Sequence, residues 1–170
     1  MGLPGSGDVM ERAIIHLNVA DFAVAVERSA RPDLRSRPLI ISPGGASRTV
    51  VYDMSEEAFQ DGVRKGMSLS RAQKACRSAT ILPPDHLRYE RAMRDLIKRA
   101  LAYSPRVESG PDDGHLFVDV TGTSRLFGPP VDVAWRLNRE MKTDFSLDPV
   151  WSVATSKLVA KVATRLVKPI

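Results

Sequence analysis

The chain has 170 residues, 43% apolar and 26% charged, with a net charge of +5. This balance excludes a disordered chain and suits one ordinary domain with a smaller insert, while the positive excess fits either a polyanionic partner or a merely basic surface. The single cysteine, Cys76, excludes a disulfide framework and a Cys-based zinc site and suits a reducing cytoplasm, and no apolar run approaches the ~20 residues needed to cross a membrane.

Residues 1–10, with Gly2, Pro4, Gly5 and Gly7, read as a flexible leader or tag remnant, Met10 serving as a natural start. Ala13–Val19 is a buried-strand run, and a helix follows from about Asp21, its N-cap by residue type. After Pro32 and Pro38, Leu39–Ile41 reads as a second strand and Pro43-Gly44-Gly45 as a turn. Thr49–Tyr52 is a β-branched third strand, and Ser55 caps a short helix that ends at Gly62. Ser70–Ala75 reads as a helix and Thr80–Leu82 as a strand closed by Pro83-Pro84.

A long helix then runs from Arg88 to Tyr103, with Tyr89, Met93, Leu96, Ile97, Ala100 and Leu101 on one stripe. Val107–Ser109 and Leu116–Val120 are strands, Pro129-Pro130 opens another helix, Val150–Ala154 is a strand and Thr155–Val167 a final helix. Trp135 and Trp151 fall within helix and strand patterns and are expected in the core. The order predicts an α+β fold, a mixed sheet covered by helices and interrupted early by a small α+β lobe.

Taken in order, several stretches resemble the palm and fingers of Y-family translesion DNA polymerases. They are Ile14–Glu27, Arg37-Pro38-Leu39, Gly62–Leu69, Leu82-Pro83-Pro84 with Tyr89, Tyr103–Glu108, Asp119–Gly122, and Ser156-Lys157 leading to Lys168-Pro169. The resemblance implies a palm from residues 11–21 and 84–170 and fingers from residues 22–83, with the thumb and little finger absent. It also implies DNA, damaged or primer–template, as the partner.

Such enzymes hold two magnesium ions with carboxylates from two strands, because a hard divalent ion draws its binding energy from anionic oxygen. The first family motif, Asp-x-Asp-x-Phe, falls on Asn18 and Ala20, with Asp21 at an odd offset in a strand and so expected on the opposite face. The second motif's Asp-Glu pair falls on Gly114 and His115 counting back from Asp119, or on Asp113 and Gly114 counting forward from Tyr103. Either count removes the Glu. His115 offers a softer ligand, and Asp119 reads as structural. Where the family grips the triphosphate, Glu56 and Phe59 stand, and Ala23 replaces the bulky residue beside the sugar. Lys157 matches a family lysine that contacts the triphosphate, or is a solvated residue at a helix start.

The expectation is therefore a non-catalytic, cofactor-free DNA-binding or scaffold component of DNA repair. The alternative is an active low-fidelity polymerase using magnesium on Asp113, Asp112 or Asp21. The stretch Asp119-Val120-Thr121-Gly122 followed by Leu126-Phe127-Gly128 is similar to the ImuB-type subunit of the bacterial mutasome. That likeness implies an adaptor for a sliding clamp and an error-prone polymerase, through segments beyond residue 170, at the nucleoid in the cytoplasm. Basic candidates for the DNA backbone are Arg64 and Lys65, between two glycines, and Lys161, Arg165 and Lys168, on a helix stripe expected opposite Leu158, Val162 and Leu166.

Overall fold

The apolar run Ile14–Asn18 forms β1, the strand on which the larger lobe is built. The computed structural model describes residues 11–44 and 49–167, so the leader, part of the Pro43–Gly45 turn and Lys168 lie outside the described residues. β1 pairs antiparallel with β6 (His115–Asp119) and β7 (Val150–Ala154), and β5 (Val107–Ser109) pairs with β6, giving the order β5-β6-β1-β7.

Because side chains alternate along a strand, β1 feeds two different layers. Ile15 and Leu17 join Leu116 and Val118 in a core completed by α1 (Phe22–Ala30), α4 (His86–Leu101) and α6 (Pro130–Phe145), the last preceded by the short α5 (Ser124–Phe127). Ile14 and His16 are also fully buried, on the face covered by α7 (Lys157–Val167). There Ala160 and Thr164 approach the sheet closely, and the Ser152 hydroxyl donates to the Ala160 carbonyl.

The smaller lobe is a three-stranded sheet, β3 (Asp53–Met54), β2 (Leu39–Ile41) and β4 (Thr80–Leu82), with β2 and β4 parallel. With α2 (Glu56–Gln60) and α3 (Leu69–Ala75) it encloses its own cluster around Ile40, Val51, Met54, Ala58, Val63 and Ala72. Leu39 and Ile41, on the other face of β2, join the larger core alongside Phe22, Ala23, Val24 and Val26 of α1. Helix α1 therefore lies at the seam of the two lobes. Ser55 caps α2 as expected, its Oγ accepting from the Ala58 N–H.

Four local expectations are corrected. Thr49–Tyr52 is no strand: Val50 makes an isolated bridge to Ser68, and the neighbouring backbone bonds run from Val51 N–H to Met67 and from Leu69 N–H to Thr49. Trp135 is 52% exposed, because the buried stripe of α6 is Val133, Ala134, Leu137 and Met141; its ring carries the Arg139 guanidinium at 4.7 Å. Helix α7 starts at Lys157, and its apolar stripe faces outward, with Leu158, Val162 and Leu166 all exposed. The sheet accepts the small Ala160 and Thr164 side instead, with Lys157 and Lys161 half-buried beside them. Finally, Asp21 stands at the N-cap position of α1 but is left-handed (φ 46°) and makes no side-chain cap bond.

Candidate functional site

At the C-terminal end of β1 the chain turns sharply through Val19–Asp21 into α1 and meets the turn that joins β5 to β6. Between them lies an open cleft of about 330 Å³, lined by Asn18, Asp21, Asp53, Lys65, Asp112, Asp113 and His115 among others. Asp21 thus reaches the same cleft as Asn18. The strand has already ended at Asn18, so the two-residue alternation that assigned Asp21 to the other face does not extend to it.

The loop register is set by the strands. β6 runs unbroken from His115 to Asp119, and Asn18 stands opposite His115. Residues 110–114 form the turn, with Asp112 left-handed (φ 47°) and Gly114 at φ 77°. A Cβ on Gly114 would lie 2.6 Å from the Val19 carbonyl oxygen and 3.0 Å from the Phe22 ring, so only glycine fits that position. Asp113 is folded back on its own turn: Oδ1 accepts from the His115 N–H at 3.0 Å, and the carboxylate lies against Gly110, where a Cβ would collide with it. Among the described residues, no three His, Cys, Asp or Glu side chains are grouped to hold a metal ion.

Behind this turn lies a polar pair that sequence reasoning missed. His16 Nδ1 lies 2.8 Å from Thr164 Oγ1, and Nε2 lies 3.0 Å from His115 Nδ1. Thr164 Oγ1 also lies 2.9 Å from the Lys161 carbonyl, which can only accept; with the hydroxyl proton directed there, His16 Nδ1 is the donor to Thr164 and Nε2 the acceptor from His115. The His16 ring also stacks on Phe117, with centroids 4.4 Å apart. Burial first, then the His115 and Lys161 charges, lower the His16 pKa from 6.5 to about 4 against a weaker opposing pull from Asp113.

An unfolded His16 takes up its proton near pH 6.5 and the folded one only near 4. Its contribution to stability is therefore complete above pH 6.5 and lost as pH falls through that window, by roughly 1.4 kcal/mol per pH unit. Urea unfolding between pH 4 and 7 should show this slope in the wild type and a flatter profile in His16→Phe. An equal slope in both would place the titrating group elsewhere.

The anion side of the cleft is equally particular. Asp53, on β3, is 3% exposed, and its Oδ2 accepts from the backbone N–H groups of Ala23 (3.0 Å) and Val24 (3.4 Å) at the start of α1. Lys65 Nζ pairs with Asp53 Oδ1 at 2.7 Å. Arg64, by contrast, lies over the Phe59 ring at 3.9 Å and donates to the Phe59 and Val63 carbonyls. The two basic candidates of this turn thus go to different tasks.

Lys157 stands at the far end of β1, its Nζ 2.5 Å from both carboxylate oxygens of Glu108, and lines a separate cleft with Phe117 and Asp119. It does not meet Asn18 or Lys65. Lys161 lies beside His16, and Arg165 is exposed. Asp119 accepts from the Thr121 N–H; burial pushes its carboxyl up, and the Thr121 bonds with the Arg12 and Arg106 charges outweigh this and hold it below the usual range.

Comparison with known proteins fits this geometry. The model of the impB/mucB/samB family matches residues 17–165. The chain is 35% identical over 159 residues to a DNA polymerase IV of Desulfatibacillum aliphaticivorans, and 33% identical to one of Dehalococcoides mccartyi. It covers 94% and 93% of its own length in these matches, but only 40% of each relative. Among solved structures it superposes on DinB from Sulfolobus solfataricus with a TM-score of 0.85 and on a binary complex of Dbh DNA polymerase with 0.84, at 23% and 22% identity. Both superpositions cover 92% of this chain and 46% of the other, so the larger and smaller lobes have the fold of a Y-family palm and fingers. The chain belongs to the impB/mucB/samB family, that of the Y-family DNA polymerases.

Proposed function

We propose that this chain is the palm and fingers of a Y-family protein that no longer transfers nucleotides and serves DNA repair or damage tolerance as a DNA-binding scaffold. The observation that carries the reading is the strand register that sets Asn18 opposite His115, with Gly114 wedged against Val19. On this reading the Asp-Glu pair is counted back along unbroken β6 and falls on Gly114 and His115, neither of which brings a carboxylate.

The donor set does not fit a pair of magnesium ions. Asn18 brings an uncharged oxygen, His115 a nitrogen bonded to His16, and Asp113 a carboxylate turned into its own loop. Asp53 is paired with Lys65, and Asp21 and Asp112, although in the same cleft, belong to no metal-holding group among the described residues. The DNA contacts would come from Lys161 and Arg165 on α7, with Arg64 at the edge of the fingers. The adaptor role toward a sliding clamp and an error-prone polymerase is a finer proposal, supported by the Asp119–Gly128 stretch alone. Among the described residues no helix is long and apolar enough to cross a membrane.

A second reading has one observation in its favour. Asp21, Asp112 and Asp113 line the same cleft as Asn18, so a turned loop would bring carboxylates together there. Primer extension by the full-length protein with magnesium or manganese decides between the two. The scaffold reading expects no extension but salt-sensitive binding of primer–template DNA, weakened by Lys161→Ala and Arg165→Ala. Extension that disappears in Asp113→Ala would establish the second reading.

A further inference from the structure

We infer that Asp53 is a built-in substitute for phosphate: its carboxylate fills the amide site at the start of α1, ties β3 to α1 there, and shuts nucleoside triphosphates out of the cleft. The inference deepens the scaffold reading and rests on the cleft having the place of a nucleotide site.

The first turn of any helix presents N–H groups without intrahelical partners, and the helix dipole favours an anion there. In α1 these donors face the cleft, and the N-cap residue Asp21 makes no side-chain cap bond to them. Asp53 arrives from β3, thirty residues along the chain, and takes the Ala23 and Val24 N–H groups with one oxygen. Its other oxygen accepts from the Met54 N–H at 3.1 Å and from Lys65. A nearly buried carboxylate thus has a full set of donors, with a lysine as counter-charge.

Those donors are the ones a phosphate would need: helix amides and a lysine are the usual anion-binding pair. A polyphosphate entering the cleft would meet a negative charge already seated on the amides. It would also find Lys65, the lysine of the cleft lining, already paired with that charge. The same contact joins β3 of one lobe to α1 at the seam, so losing it loosens the lobes as well as emptying the site. Lys65 is accordingly the partner of Asp53, and its contribution to DNA binding is small.

The test is a titration of the isotope-labelled chain with inorganic tripolyphosphate, free of divalent metal, following the amide resonances of Ala23 and Val24. The wild type should show no saturable shift. Asp53→Ser, whose hydroxyl can still accept one amide, should bind about tenfold or more tighter than wild type. Adding Lys65→Ala to that variant should cancel the gain. Asp53→Asn keeps the carboxylate's shape without its charge, and serves if the serine variant unfolds. Saturable shifts at Ala23 and Val24 in the wild type would overturn the proposal, as would a folded Asp53 variant that gains no affinity. Primer extension, which judges the scaffold reading, is a separate readout, so either idea can fail without the other.

Discussion

Gly114→Asp should destabilise the fold by roughly 2–4 kcal/mol, from the positive φ and the clash together, instead of rebuilding a metal ligand. The added Cβ would meet the Val19 carbonyl, a backbone atom anchored by the bond from its own N–H to the Gly114 carbonyl at 3.0 Å. A backbone atom cannot swing aside as the end of a side chain can. Asn18→Asp with His115→Glu places two carboxylates on paired strands without that clash, since both positions are half-buried. Urea unfolding of each variant checks the contrast. A Gly114→Asp protein as stable as wild type would mean that the turn is not the one described. The expected loss also says why the second motif is hard to restore: the backbone between Asp113 and His115 has settled into a shape that only glycine adopts.

Arg88→Met should cost about 2–3 kcal/mol, less than the 3–5 kcal/mol of a fully buried pair because the arginine is partly solvated. Glu27 of α1 is buried, and its carboxylate is satisfied by Arg88 at 2.6 Å and by the Tyr89 hydroxyl at 3.1 Å. Burial and the Glu27 charge push the Tyr89 phenol up, so it stays a proton donor to that carboxylate. Removing Arg88 leaves a buried charge with one neutral partner. The double variant Glu27→Leu with Arg88→Met removes both charges and should recover most of the loss. A double variant worse than Arg88→Met alone would show that Glu27 contributes through packing, not through its charge. The pair joins α1 to α4, so its loss would act on the helix that also bears the Asp53 contact.

Much of this was legible in the chain. The stripe Tyr89, Met93, Leu96, Ala100 gave α4 its buried face, and the run Ile14–Asn18 gave β1, because periodicity reports burial directly. Asn18, Gly114 and His115 were readable as positions, but their mutual arrangement needed the β1–β6 register, which depends on the length of a turn. Helix α7 misled for a physical reason. An apolar stripe usually turns inward, yet here the sheet surface at His16 admits only Ala160 and Thr164. The Asp53 contact had no local signal at all. Nothing around Asp53 marks it as a cap, because the amides it serves lie thirty residues earlier. The His16–His115 bond was hidden likewise by ninety-nine residues of separation.

The central claim, a palm whose shape survives without its metal chemistry, is tested most directly by titrating the chain with manganese and following bound ion by paramagnetic resonance. The account predicts no saturable site in the wild type and the appearance of one in Asn18→Asp with His115→Glu. A saturable site in the wild type that vanishes in Asp113→Ala would contradict it.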